Sequence, residues 1–394
     1  MRTTGACLIL VAELCACGSS GDSGTGRSDA SVGADGATAN DAATGDPITD
    51  AGLVGDAPPN GTDGSGGAND AGAAGCRETD DGGAAVMIAS GRGEPLGIAV
   101  DTTSVYWTEV AGKVVGDGEV VKCPLAGCSG PPAVLASAQA RPFAIVVDDT
   151  SVYWAEASGR LEKCPLGGCG SSAPAVYASG MTASVGVALD RTNVYWTETR
   201  TGIVASCPLA GCAAANTLYG GHDGGPEGPS YGLLVDATGV TWANDYAGTV
   251  SRMPLSGLPD GGSPAILGRA PFASYAASDG QRIYVTAAGD PGSVLAMPNA
   301  GLPDGGVAAT FASGLHNPGA ILVDQACGTV YWVTSGVADT AGTAAVYRCP
   351  ASGCPGGTPT IVVAGQSGTL GIAQDSDSIY WTNSGDGTVW KKHK

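Results

Sequence analysis

From about residue 84 to its end, the chain repeats one pattern of apolar and polar positions. An apolar run ends in Asp, a short polar turn follows, and then comes a run centred on Tyr-Trp. A Gly-containing loop leads to an alternating run that ends near Cys-Pro or Met-Pro, and a last short apolar run closes the unit. The stretch LGIAVDTTSVYWTEVAGKVVGDGEVVKCPLAGC, 96–128, holds most of one copy. β-Branched and aromatic residues fill the runs, and Gly, Pro, Asp and Ser separate them, which predicts short strands joined by tight turns.

Seven segments align on the Tyr-Trp core: VYWTE (105–109), VYWAE (152–156), VYWTE (194–198), VTWAN (240–244), IYVTA (283–287), VYWVT (330–334) and IYWTN (379–383). Their second residues, Tyr106, Tyr153, Tyr195, Thr241, Tyr284, Tyr331 and Tyr380, lie 47, 42, 46, 43, 47 and 49 positions apart. A period of about 40–50 residues with several short strands per unit predicts an all-β, seven-bladed β-propeller with four-stranded antiparallel blades. The first strand of each unit, such as GIAVD (97–101), AIVVD (144–148) or GVALD (186–190), is apolar on both faces. It is expected to be innermost and buried on both sides. Trp107, Trp154, Trp196, Trp242, Trp332 and Trp381 recur at one place in the second strand, where large rings can fill the gap between adjacent twisted sheets. The seventh unit, 371–394, stops after three strands. The segment Ala85–Ser90 aligns with AVLAS (133–137), the fourth strand of the first unit, so it should complete the last blade and remove an open edge.

On these tetrads the chain resembles the YWTD propellers of the LDL-receptor type and, more loosely, NHL-type propellers, over about 300 residues. The resemblance implies the propeller fold and little about function, because one fold hosts many activities. Two features depart from it. YWTD propellers have six blades, and the fourth residue of the tetrad here is Glu, Asn, Ala or Thr and not Asp.

The first 83 residues differ in kind. Met1-Arg2 is a small basic start, Cys7–Leu14 a short apolar stretch interrupted by Glu13, and Leu14-Cys15-Ala16-Cys17 precedes Gly-Ser-Ser-Gly. This resembles a bacterial lipobox, with residues 1–16 as signal peptide and Cys17 as the lipidated residue. Acyl chains there would anchor the protein to an outer membrane or cell surface without threading it through. Residues 17–83 are Gly, Ala, Asp, Ser and Thr with almost no aromatics, a composition expected of a disordered tether.

Of thirteen cysteines, eight form four C-x4-C pairs at one place in the repeat: Cys123 with Cys128, Cys164 with Cys169, Cys207 with Cys212, and Cys349 with Cys354. Units four and five carry Met253…Leu258 and Met297…Leu302 instead. An apolar contact can replace a disulfide as a packing device, but it cannot replace two thiolate ligands, so disulfides are expected and zinc is not. Cys76 and Cys327 remain. Cys76 precedes the ring-closing strand and Cys327 lies in a turn of the neighbouring unit, which predicts a bridge between them.

The net charge is −19, with −10 in residues 1–83 (3 basic, 13 acidic) and −9 in the rest (15 basic, 24 acidic). Spread acidity argues against nucleic acid as a partner. No HExxH, GxSxG or P-loop is present, so neither a catalytic set nor a cofactor or metal is implied. Candidate binding residues come from topology, because loops entering the first strand and leaving the second open at one mouth of the ring. The entering loops offer Glu94, Arg141, Glu227, Arg269, His316 and Asn317, and the leaving loops Glu109, Glu156, Glu198, Asn244, Asp245, Asn383 and Asp386. The longest entering loop, 220–232, adds His222, Asp223 and Tyr231. The expectation is a monomeric surface lipoprotein that binds a protein or glycan. Two other readings are a propeller lyase or lactone hydrolase with a divalent metal in the channel, and a structural component of the cell envelope.

Overall fold

The computed structural model describes residues 83–394, apart from 111–115, 183, 199–200, 221–231, 246, 260–261 and 338–339. Seven four-stranded antiparallel sheets follow one another in the chain. The first holds Glu94–Val100, Ser104–Val110, Gly118–Pro124 and Ala133–Gln139, paired in that order. The next five span 142–179, 184–219, 233–269, 273–315 and 318–366 with the same up-and-down order. Blade seven comprises Thr369–Gln374, Ser378–Asn383 and Thr388–His393, and its fourth strand is Val86–Ala89. Val86 pairs with Lys391 and Met87 with Trp390, so the early segment closes the ring as its sequence predicts.

The first strands pack against one another around the axis. Glycine makes that approach possible: a Cβ on Gly97 would meet the Phe143 carbonyl of blade two, and one on Gly371 would meet the Leu96 carbonyl of blade one. These inner strands are only half-buried along much of their length, contrary to the expectation of burial on both sides. Each pairs through one edge alone, and its other edge faces the axis. The second strands are the buried ones, closed along all or nearly all their length, and the six tryptophans in them are at most 2% exposed.

The repeated residues have distinct structural jobs. The Asp that ends the inner strand folds the next turn onto itself: Asp101 Oδ1 accepts the N–H groups of Thr103 and Ser104, both at 2.7 Å, and Oδ2 accepts the Tyr106 hydroxyl at 2.6 Å. Asp148 with Tyr153, Asp190 with Tyr195, Asp279 with Tyr284 and Asp375 with Tyr380 repeat the hydroxyl bond. Blade four has Thr241 in place of Tyr, and Arg252 takes over, donating to Thr241 Oγ1 at 2.6 Å with Asp236 at 3.8 Å. The Thr after Tyr-Trp latches one blade to the next. Thr108 Oγ1 accepts the Gly97 N–H, freed by a bulge, and donates to the Phe143 carbonyl at 2.7 Å. Thr382 repeats this across the ring closure, donating to Leu96 at 2.6 Å.

At the opposite end of the blades, the turns between third and fourth strands carry the cysteines. All four C-x4-C pairs are disulfides, as their spacing predicts. The Cα–Cα distance is 5.1 Å for Cys123 and Cys128, 5.2 Å for Cys164 and Cys169, 5.2 Å for Cys207 and Cys212, and 4.9 Å for Cys349 and Cys354. The first cysteine of each pair, at the end of a third strand, is fully buried, whereas Cys128, Cys169, Cys212 and Cys354 in the turns are only partly buried. In six blades the turn shares one backbone bond, from a Gly N–H to the Pro carbonyl three residues earlier, with that Gly at positive φ. Units four and five keep this bond, with Met253 and Met297 buried where the others have cysteine. The turns also receive a cation from the preceding blade: Lys122 Nζ reaches the Leu166 carbonyl, Lys163 that of Leu209, and Lys391 that of Leu125 across the closure. Cys327 is disulfide-bonded, whereas Cys76 lies outside the described residues.

Candidate functional site

An up-and-down blade puts its entering loop and the loop leaving its second strand at the same end. Polar groups tie the two together. Glu109 is 2% exposed, pairs with Arg92 and accepts the Trp107 indole N–H at 3.0 Å. Glu156, 3% exposed, accepts the Ala140 N–H at 2.9 Å and the Ser158 hydroxyl at 2.8 Å. Glu198, 9% exposed, accepts from Thr182 and Thr201. Asn383 accepts the Thr369 hydroxyl in the same way, at 2.8 Å. These residues, expected from sequence in the leaving loops, are instead the last or near-last residues of the second strands, and they brace the rim from within.

Hydrogen bonding to Glu109 raises the Arg92 pKa above its ordinary value, against the opposing effect of burial. Glu119, also beside Arg92, is held above the usual carboxylate range by burial and by its neighbour Glu109. Burial likewise raises Asp245.

The entering loops share a second feature. Arg141, Phe272, Asn317 and Gly368 immediately precede their inner strands, at φ of 55°, 60°, 49° and 61°. Each carbonyl accepts the N–H of the residue just past the second strand: from Ala157 at 3.3 Å, Ala288 at 2.9 Å, Ser335 at 3.0 Å and Ser384 at 3.0 Å. The four positions are structurally equivalent. Asn317 is buried and its Nδ2 donates to the Gly336 carbonyl at 3.1 Å. Arg141 is partly buried, and its Nε has no hydrogen-bond partner among the described residues. Phe272 is 60% exposed.

The other sequence candidates fall in varied places. His316 Nδ1 lies 2.7 Å from Asp290 Oδ1, a pair that joins an entering to a leaving loop and is open to solvent. Glu94 is the exposed first residue of the blade-one inner strand. Arg269 is the last residue of the blade-four outer strand, paired with Thr249, and so is not in a loop. His222, Asp223, Glu227 and Tyr231 lie outside the described residues, as does Cys17. Among the described residues no group of three His, Cys, Asp or Glu side chains is placed to hold a metal ion. Phe272 is not among the candidates that the sequence suggests. Its one signal is composition: it is one of three phenylalanines and stands next to Pro271 in a loop.

Among known proteins, no family model and no curated protein matches the chain. Solved structures do. A streptogramin B lyase is similar at a TM-score of 0.58 and 10% identity, over 79% of this chain and 97% of its own. A virginiamycin B lyase from Staphylococcus aureus is similar at 0.59 and 13%, over 78% and 97%. A nidogen/laminin complex gives 0.46 and 15%, over 59% and 85%, too loose a likeness to support an inference. At these identities the similarity to the two lyases shows the fold alone, and that fold is a β-propeller.

Proposed function

We propose that the protein is an exported, lipid-anchored binding protein, allied through its Tyr-Trp repeats to the YWTD propellers, whose mouth face holds a protein or glycan. The observation that carries this reading is the division of labour on that face. Glu109, Glu156 and Glu198 are spent on bracing, while the Arg141 and Phe272 side chains stand on these loops without a comparable structural task and the His316–Asp290 pair is open to solvent. A fixed scaffold under solvent-facing side chains suits recognition, because little ordering remains for the ligand to impose. Export is supported by four disulfides, which persist in oxidising compartments. No helix among the described residues is long and apolar enough to cross a membrane. The anchor in this reading is Cys17, in the segment that resembles a lipobox.

The test uses the purified full chain against immobilised proteins and oligosaccharides. Binding should weaken on replacing His316 by Ala and survive Arg191→Ala in an exposed turn at the opposite end. Equal sensitivity to both changes, or to neither, refutes a mouth-face site. A stoichiometric divalent metal in the purified protein would favour the lyase reading instead. We also propose Cys76 as the mate of Cys327. Peptide mapping without reductant should recover the two as one linked species, and recovery of free Cys76 sinks the assignment.

A further inference from the structure

The residue before each inner strand offers an internal comparison. In blade seven this left-handed position holds Gly368, the residue that adopts positive φ without steric cost. Blades two and five accept that cost for Arg141 and Phe272, in a chain with 65 glycines. Asn317 in blade six is accounted for by its bond to Gly336. Arg141 and Phe272 have no such account: one guanidinium nitrogen is buried without a partner among the described residues, and the phenyl ring is 60% exposed. A non-glycine side chain held in a costly conformation, with its binding capacity unspent, marks a place where the side chain is wanted for something outside the fold.

We propose that Arg141 and Phe272 join His316 as ligand contacts of the mouth face, and that the ligand is a polypeptide presenting a carboxylate to Arg141 and an apolar side chain to Phe272. This rests on the mouth-face binding reading and narrows it. A planar guanidinium is matched to a carboxylate, which it can hold through two parallel hydrogen bonds. The ring as a whole is acidic, at −9 over residues 84–394 (15 basic, 24 acidic), so it repels a polyanion and tolerates a single anionic group at Arg141. Arginine and aromatic side chains are also the types that concentrate binding energy where proteins meet. Blades two and five stand well apart in the ring order of seven, so one ligand that touches both is extended, as a peptide segment is.

The test pans random peptides displayed on phage against the full-length protein, with a panel of neutral and acidic oligosaccharides in parallel. The informative variants are Arg141→Gly and Phe272→Gly, which copy the residue that blade seven uses at the equivalent position, Gly368. Glycine suits the backbone there, so the melting temperature should hold or rise and lost binding cannot be blamed on unfolding. Enriched peptides should share Asp, Glu or a free carboxyl end. Their affinity should fall about tenfold or more with Arg141→Gly, with Phe272→Gly, or when the peptide carboxylate is replaced by its amide. Enriched peptides indifferent to both variants overturn the proposal. Oligosaccharides that bind at the mouth while no peptide does overturn it too, but leave the binding reading standing. If neither class binds, both readings fall.

Discussion

Gly371 would place a Cβ 2.5 Å from the Leu96 carbonyl, a backbone atom that cannot swing aside. Gly371→Ala should therefore cost about 1–3 kcal/mol, read as a lower denaturant midpoint, although the position is ordinary in φ and alanine is small. The aspartates that end the inner strands make a second prediction. Burial alone would raise them, but hydrogen bonds from the tyrosine hydroxyls and turn N–H groups prevail and hold Asp101, Asp148, Asp190 and Asp375 below the ordinary carboxylate value. Such groups contribute stability above the unfolded pKa of about 3.9 and lose it as pH falls through the folded value. Burial, and then the bond to Asp, pushes Tyr195 and Tyr284 up to about 12. Their contribution is complete below the unfolded value of about 10 and is lost as pH rises towards 12. Thermal midpoints should be level between about pH 5 and 9 and fall on both sides. A midpoint still level at pH 3 would refute the carboxylate half.

At the scale of elements, the disulfide turns and their Met/Leu counterparts share the same Gly-to-Pro backbone bond. The cystine is thus an addition to a turn that forms without it. Replacing Cys164 by Met and Cys169 by Leu should preserve the fold and lower stability by no more than about 2 kcal/mol, the loop-closure value for so short a ring. Urea unfolding without reductant measures this, and a variant that fails to fold would show that the turn depends on sulfur. The elements themselves were legible in the sequence: the Tyr-Trp tetrads gave the number of blades, and the alignment of Ala85–Ser90 gave the closing partner. The sites were less so. Glu109, Glu156 and Glu198 read as rim charges because a polar residue after a strand ordinarily faces water, and only the folded loop reveals the donors that enclose them. Backbone handedness at Arg141 and Phe272 leaves no mark in periodicity, so beyond the rarity of phenylalanine in this chain nothing in the pattern singles out Phe272. The half-exposure of the inner strands was likewise hidden, since a run apolar on both faces looks the same whether its free edge meets protein or the axis.

For the whole molecule, closure is a property of the seam between blades seven and one. Three contacts cross it, the Thr382 bond to Leu96, the Lys391 bond to Leu125, and the Arg92 N–H to the Gly387 carbonyl at 3.1 Å, while the Val86–Ala89 pairing with Thr388–His393 completes blade seven itself. Removing residues 1–89 should leave blade seven with an unpaired strand edge and blade one without its neighbour's latch in register. The truncated chain is expected to self-associate and to unfold in a broadened transition, seen by light scattering and calorimetry. A monomer with an unchanged, sharp transition would show that the seam is not what holds the ring.

The same seam sets an order on biosynthesis. Val86 leaves the ribosome about 300 residues before Lys391, the residue it pairs with, has been made. Each of the first six sheets can form from its own stretch of chain soon after synthesis, but the nascent protein must hold Val86–Ala89 idle, sticky and unmatched until Thr388–His393 has been made. The slowest and most hazardous step is therefore the closing of the ring, and a chain stalled before blade seven is made would be released as an open arc with both edges ready to seize another copy.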